Sequence, residues 1–189
     1  MSTNPIKKYT LKEYFEIEKN SNIKHEYVYG EIFSMVGASP NHGRIISAIT
    51  SSLYPQLINT TCEVFTENMR TRTHNQIYRY PDFLITCNPR FININGLQSL
   101  INPTLIGEVL SDSTESFDQD AKFREYQQIE SLRYYLLISQ NEISSTLFTK
   151  NDNNWTSQTF TNLNDVIELP VINCRLNIND IYLRVQFQP

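Results

Sequence analysis

The alternation of helix-period and strand-period segments predicts an α/β chain, α+β in its mixture, built on a mixed sheet with helices on both faces. Three observations predict it. Leu105-Ile106-Gly107-Glu108-Val109-Leu110 is a short apolar run of the kind found in strands buried on both faces. A helix-start pattern follows it, and then a second apolar run from Arg133 to Ser139, so the three read as a strand–helix–strand crossover. Shorter alternating segments bounded by turn residues supply the remaining strands.

In chain order, Thr10-Leu11-Lys12-Glu13 is a capping box that opens a helix from about Leu11 to Lys19. Glu26-Tyr27-Val28 and Glu31 to Met35 flank Tyr29-Gly30 as a tight hairpin. Ser39-Pro40 starts a second helix, whose stripe of Ile46, Ile49 and Leu53 includes His42 one turn earlier. Cys62 to Thr73 reads as a strand and Ile77 to Thr86 as its partner, whereas the asparagine-rich stretch from Asn88 to Pro103 reads as a loop. After the Glu108 strand, Ser116 to Gln119 forms a second capping box, for a helix to about Ile129. Glu142 to Thr149 and Asn154 to Phe160 form an extra C-terminal hairpin, followed by a tail of weaker signals from Val166.

The 189 residues fit a single domain, 1–189, with a sizeable core. No apolar run is long enough to span a bilayer, and the first residues lack a secretory pattern, so no membrane partner is expected. Cys62, Cys87 and Cys174 form neither an even set nor a C-x-x-C pair; they read as bystander thiols in a reducing cytoplasm. A net charge of −4 argues against coating nucleic acid through broad electrostatics. It leaves room for a nuclease, because acids at a metal site count against the total until an ion binds.

The candidate chemistry starts with Glu108, a carboxylate in an apolar run, and Asp82, in Tyr80-Pro81-Asp82-Phe83-Leu84-Ile85. Two carboxylates on core strands, with the Val109 carbonyl nearby, match the oxygen donors that a hard cation prefers. The competing reading has each carboxylate satisfying backbone or pairing with Arg79 or Arg133. Lys122, with Tyr126 and Ile129 on its helix face, either points its ammonium into that site or forms a surface pair with Asp118. Glu26 is a candidate third acid or a solvated edge residue. His42 is a candidate contact to phosphate or metal-bound water, or a local cap. Arg70, Arg72 and His74 alternate as a small basic stripe suited to phosphate contact, a pattern that any solvated strand face also shows. There is no Gly-rich phosphate loop, no G-x-S-x-G elbow and no zinc-type spacing.

Taken as an ordered series, these pieces carry a resemblance. They are Tyr9 to Tyr14, Glu26 to Ile32, Asn41-His42-Gly43, Tyr80-Pro81-Asp82, Gly107 to Ser111, Asp118 to Phe123 with Tyr126, and Tyr134 to Ile138. The series resembles the PD-(D/E)XK restriction-endonuclease-like superfamily, and within it the bacterial Uma-type endonuclease family, catalogued as a domain of unknown function. The resemblance implies a restriction-endonuclease-like core, with Asp82 and Glu108 as metal ligands and Lys122 as the active-site lysine. The superfamily's lysine lies two residues after the second acid, where this chain has Leu110; the family look moves it to Lys122. The expected function is a Mg²⁺- or Mn²⁺-dependent endonuclease hydrolysing DNA phosphodiester bonds, working as a homodimer. The alternatives are a non-catalytic module on the same fold that binds nucleic acid or protein, and an unrelated metal hydrolase.

Overall fold

The computed structural model describes residues 7–35, 37–111, 118–152 and 154–187. Helix α1 (Leu11–Asn20) begins at the capping box: the Thr10 hydroxyl accepts from the Glu13 amide, and the Glu13 carboxylate accepts from the Thr10 amide. Its buried Tyr14 and Phe15 pack with Tyr27 and Tyr78, fixing α1 to the hairpin β1 (His25–Val28) and β2 (Glu31–Ser34) and to β5 (Ile77–Arg79). Tyr29 and Gly30 turn this hairpin with φ of +46° and +94°, the two left-handed positions of a type I′ turn. Helix α2 (Pro40–Leu57) is capped by Ser39 and buries His42, Ile45, Ile46, Ile49, Leu53 and Leu57.

Where one long hairpin is expected from Cys62 to Thr86, the chain splits it into two short ladders, one nested inside the other. Strand β3 (Cys62–Thr66) pairs antiparallel with β6 (Phe83–Cys87), while β4 (Thr71–His74) pairs with β5. Pro81 has no amide to donate, so the ladder breaks there and the two halves join different sheets. The expected loop after Asn88 instead holds a hairpin, β7 (Phe91–Ile94) and β8 (Leu97–Leu100), around Asn95-Gly96. Both turn residues have positive φ, which is the reason Asn-Gly encodes such turns.

Strand β9 (Leu105–Leu110) is buried throughout and runs parallel to β10 (Tyr134–Ser139), as the crossover requires. Between them lie a π-helical turn (Asp118–Lys122) and a single α turn, α3 (Phe123–Tyr126). The helix therefore stops earlier than Ile129, and the capping box expected at Ser116 lies outside the described residues. Strands β11 (Ser145–Asn151) and β12 (Asn154–Phe160) form the extra hairpin. The tail forms β13 (Val166–Leu169), β14 (Cys174–Asn177) and α4 (Ile178–Tyr182).

The strands make two six-stranded sheets, ordered β2-β1-β5-β4-β8-β7 and β12-β11-β10-β9-β6-β3, plus the β13-β14 pair. One face of the second sheet packs on α2, α4 and the β13-β14 pair, the other on α3. The fold class is as expected, with the strands shared between two sheets.

The cysteines are not bystanders. Register places Cys62 directly opposite Cys87 at the open end of β3 and β6, and the two form a disulfide, leaving Cys174 buried and free. The thiol pattern therefore no longer supports a reducing compartment. Among the described residues, no helix is long and apolar enough to cross a membrane.

Candidate active site

Strands β6 and β9 pair with Phe83 opposite Gly107, Leu84 opposite Ile106 and Ile85 opposite Leu105. One further step in the same register brings Asp82 opposite Glu108, just before β6 begins. Gly107 permits this join, because a Cβ there would lie 2.0 Å from the buried Phe83 ring. The Asp82 carboxylate takes up the strand's ladder position: its Oδ2 accepts from the Val109 amide at 2.7 Å. An extended residue directs its N–H and C=O to the same edge, so the Val109 carbonyl faces the side on which Asp82 lies.

Glu108 is 3% exposed. Its Oε1 accepts from the Tyr126 hydroxyl at 2.8 Å and lies 3.2 Å from the Lys122 ammonium. Neither Arg79 nor Arg133 is its partner in these contacts. Lys122 and Tyr126 are four residues apart, so the short helical segment presents both to one carboxylate. Leu110, in the place of the superfamily's lysine, packs in the apolar cluster on this same face with Tyr126. The ammonium reaches the carboxylate from the π-helical turn that leads into α3 instead of from β9. Burial pushes the Tyr126 hydroxyl well above its ordinary pKa, and the Glu108 charge adds to this.

His42 stands on the other side. Ser39 caps α2 and donates to the Gln140 side chain, whose amide in turn donates to the Leu110 carbonyl at 3.0 Å. This ties the start of α2 to the end of β9. The helix's first turn then brings His42 Nε2 within 3.1 Å of Asp82 Oδ2 and Nδ1 within 3.5 Å of Glu67 Oε1. Burial disfavours the charged imidazole, but the hydrogen bond to Asp82 and the charges of Asp82, Glu67 and Glu108 outweigh it and raise its pKa.

Glu26 accepts from Arg79 Nη1 at 2.7 Å and from the Tyr80 amide at 3.2 Å. Arg79, buried, also donates to Glu125, whose Oε1 accepts from Thr73. Glu26 thus belongs to a Glu26–Arg79–Glu125 network beside the Asp82–Glu108 pair. The basic stripe is broken up. Arg70 precedes β4 and turns inward, donating to Ser99 at 2.9 Å and to the Gln98 carbonyl at 3.0 Å, with its guanidinium over Phe15. A bulge between Arg72 and His74 ends the alternation, and those two remain at the surface in part or in full.

Sequence reasoning missed Glu67 and the role of Glu125. Glu67 sits in a turn with φ +20° and carries no local signal, whereas Glu125 follows Lys122 by three residues and was legible as a helix-face neighbour.

The donor set suits a hard cation. Asp82 and Glu108 are two oxygen-donor carboxylates with a backbone carbonyl beside them, and a magnesium ion usually takes one or two carboxylates from protein. Among the described residues, no group of three or more His, Cys, Asp and Glu side chains is arranged to hold a metal.

Residues 11–179 match the family Uma2, described as "Putative restriction endonuclease". The chain belongs to the Uma2 family. Two similar proteins come from Synechocystis sp. (strain ATCC 27184 / PCC 6803 / Kazusa). The uncharacterized protein slr1290 is 33% identical over 97% of this chain and 96% of its own length. The uncharacterized protein sll1609 is 36% identical over 69% and 75%. Among solved structures, a nuclease of the family DUF820 from Anabaena variabilis ATCC 29413, termed "putative" in its description, superposes with a TM-score of 0.76. It is 18% identical and covers 94% of this chain and 99% of its own. This Uma2 family member thus has a restriction-endonuclease-like fold.

Proposed function

We propose that this Uma2 family member is a divalent-metal-dependent endonuclease that hydrolyses DNA phosphodiester bonds. The observation that supports it most is the pairing of Asp82 and Glu108 across the end of the β6–β9 ladder, with Lys122 Nζ 3.2 Å from Glu108. Asp82, Glu108 and the Val109 carbonyl would hold Mg²⁺ or Mn²⁺. Such an ion, when bound, supplies Lewis-acid polarisation of phosphate and a water of lowered pKa. The protein's own groups do the rest. Lys122 holds a fixed positive charge at the site, suited to charge developing on phosphate. Tyr126 orients the Glu108 carboxylate, and His42 with the Val109 amide orients Asp82 through its Oδ2. Cutting both strands of a duplex calls for two such sites, so the working form in this reading is a homodimer.

Supercoiled plasmid incubated with Mg²⁺ or Mn²⁺ should be nicked or linearised. EDTA, Asp82→Ala and Glu108→Gln should each abolish the reaction. Cleavage that persists through all three would overturn the reading. A non-catalytic binding module is the second reading, favoured by Leu110 in the lysine's usual place and by the net charge of −4. Such a module binds its partner equally well in EDTA and cuts nothing.

A further inference from the structure

A cleft of about 530 Å³ opens beside Lys122, between the β1–β2 hairpin and α3. Lys122 belongs to it and to the Asp82–Glu108 site at once, so whatever fills the cleft lies next to the candidate chemistry. Its walls are unlike in character. Two large aromatic side chains, Tyr29 and Phe33, line it while remaining 54% and 48% exposed. Facing them across the cleft are Lys122 and the exposed Arg124. The Glu26 and Glu125 carboxylates, which also line it, are both held by Arg79.

Tyr29 stands at φ +46°, a left-handed conformation that is strained for an ordinary residue and that glycine adopts freely. A bulky ring is thus held at a turn position where local energetics favour a small residue, and it lies 5.7 Å from the His74 ring. Gln128 borders both this cleft and a smaller one of about 240 Å³, which includes Arg72 and His74 along with Glu130. Cations and aromatic faces therefore succeed one another from Lys122 and Arg124, past Tyr29 and Phe33, to His74 and Arg72.

Resting on the nuclease reading above, we infer that this track binds single-stranded DNA, with an unstacked base in the cleft against Tyr29 and Phe33 and phosphates on Arg124 and Arg72. The chemistry distinguishes single strands from duplex. A base face is available for stacking on an aromatic ring only when it has left the helix, whereas phosphates alone do not tell the two apart. A cleft of this volume is of the size that takes a small-molecule group such as a nucleotide. The substrate class is then DNA with unpaired nucleotides next to the cut, rather than uninterrupted duplex.

The test is fluorescence anisotropy of a labelled oligothymidylate and of a labelled duplex of equal length, in EDTA so that nothing is cut. The parent should prefer the single strand. Tyr29→Ala/Phe33→Ala should weaken oligothymidylate binding by roughly 5- to 150-fold, the range for one stacked base, and leave duplex binding unchanged. Tyr29→Phe/Phe33→Tyr keeps both rings and should bind as the parent does. Arg124→Ala should reduce the salt slope of single-strand binding by about 0.7. Equal single-strand affinity in the parent and the double-alanine variant would overturn the proposal, as would a parent that prefers duplex. Cleavage assays with Mg²⁺ or Mn²⁺ on both the plasmid and the oligothymidylate separate the two readings. Cleavage without single-strand preference sinks the cleft alone, and stacking-dependent binding without cleavage under any ion sinks the nuclease alone.

Discussion

Lys122→Met removes a charge while keeping most of the stem, and its consequence follows from the burial of its partner. The Glu108 carboxylate is 3% exposed, and its Oε1 meets the Lys122 ammonium and the Tyr126 hydroxyl. Removing one member of a buried ion pair costs about 3–5 kcal/mol, because the remaining charge is left desolvated. The Tyr126 hydrogen bond persists and offsets part of this, since a bond to a charged group contributes about 1.5–3 kcal/mol. The loss should lie near the lower figure. At roughly 2–4 °C per kcal/mol for a chain of this size, the metal-free variant should melt about 6–12 °C below the parent. The assay is thermal unfolding in EDTA. Lys122→Met/Glu108→Gln, which removes both charges, should recover most of the loss. With Mg²⁺ in the buffer, the single variant should recover more than the parent gains, because the ion replaces the missing cation and no longer competes with it. At about a hundred times the variant's dissociation constant, the ion adds roughly 2.7 kcal/mol to the variant and less to the parent, where Lys122 competes with it. A surface pair contributes under about 1 kcal/mol. A single variant that melts within about 2 °C of the parent in EDTA would refute the buried-pair reasoning.

Three further outcomes are expected. Gly107→Ala drives a Cβ into the Phe83 ring, so overpacking should cost about 1–3 kcal/mol, read as a lower midpoint in urea with an unchanged slope. Denatured without reductant, the chain should react with one equivalent of a thiol reagent, and with three after reduction; three from the outset would exclude the Cys62–Cys87 bond. The Thr10 amide and then its hydroxyl hold the Glu13 carboxyl below the usual carboxylate pKa. That contribution to stability is present above the unfolded-chain value and is lost as pH falls through the folded one. A carbon-detected titration should show the Glu13 pKa rising in Thr10→Ala, which removes the hydroxyl, while the backbone amide at position 10 still holds it below the usual carboxylate range.

Local chemistry was enough to read much of this protein from its residues. Thr10 and Glu13, Ser39 with Pro40, and Tyr29-Gly30 act over three or four positions, and each forms the cap or turn that its residue types encode. The apolar run around Glu108 announces a buried strand, and a carboxylate in it announces a partner, because burial without one is too costly. Helical spacing put Lys122 and Tyr126 on one face. What spacing could not supply was the partner's identity. Arg79 and Arg133 were as plausible as Lys122, and only the close of β9 against the π-helical turn and α3 brings the ammonium to Glu108. The break at Pro81 sends β3–β6 and β4–β5 into different sheets, a choice made by burial over the whole molecule that no local pattern records. The same holds for Arg70, whose alternation with Arg72 looked like a solvent-facing stripe until the packing of α1 supplied Phe15 as a cover. His42 and Glu67, 25 residues apart, meet at Asp82 only because Ser39 and Gln140 anchor α2 to the end of the sheet. Sequence determines which groups are costly to bury; the tertiary structure decides which neighbours relieve that cost, because the relief comes from residues distant in the chain.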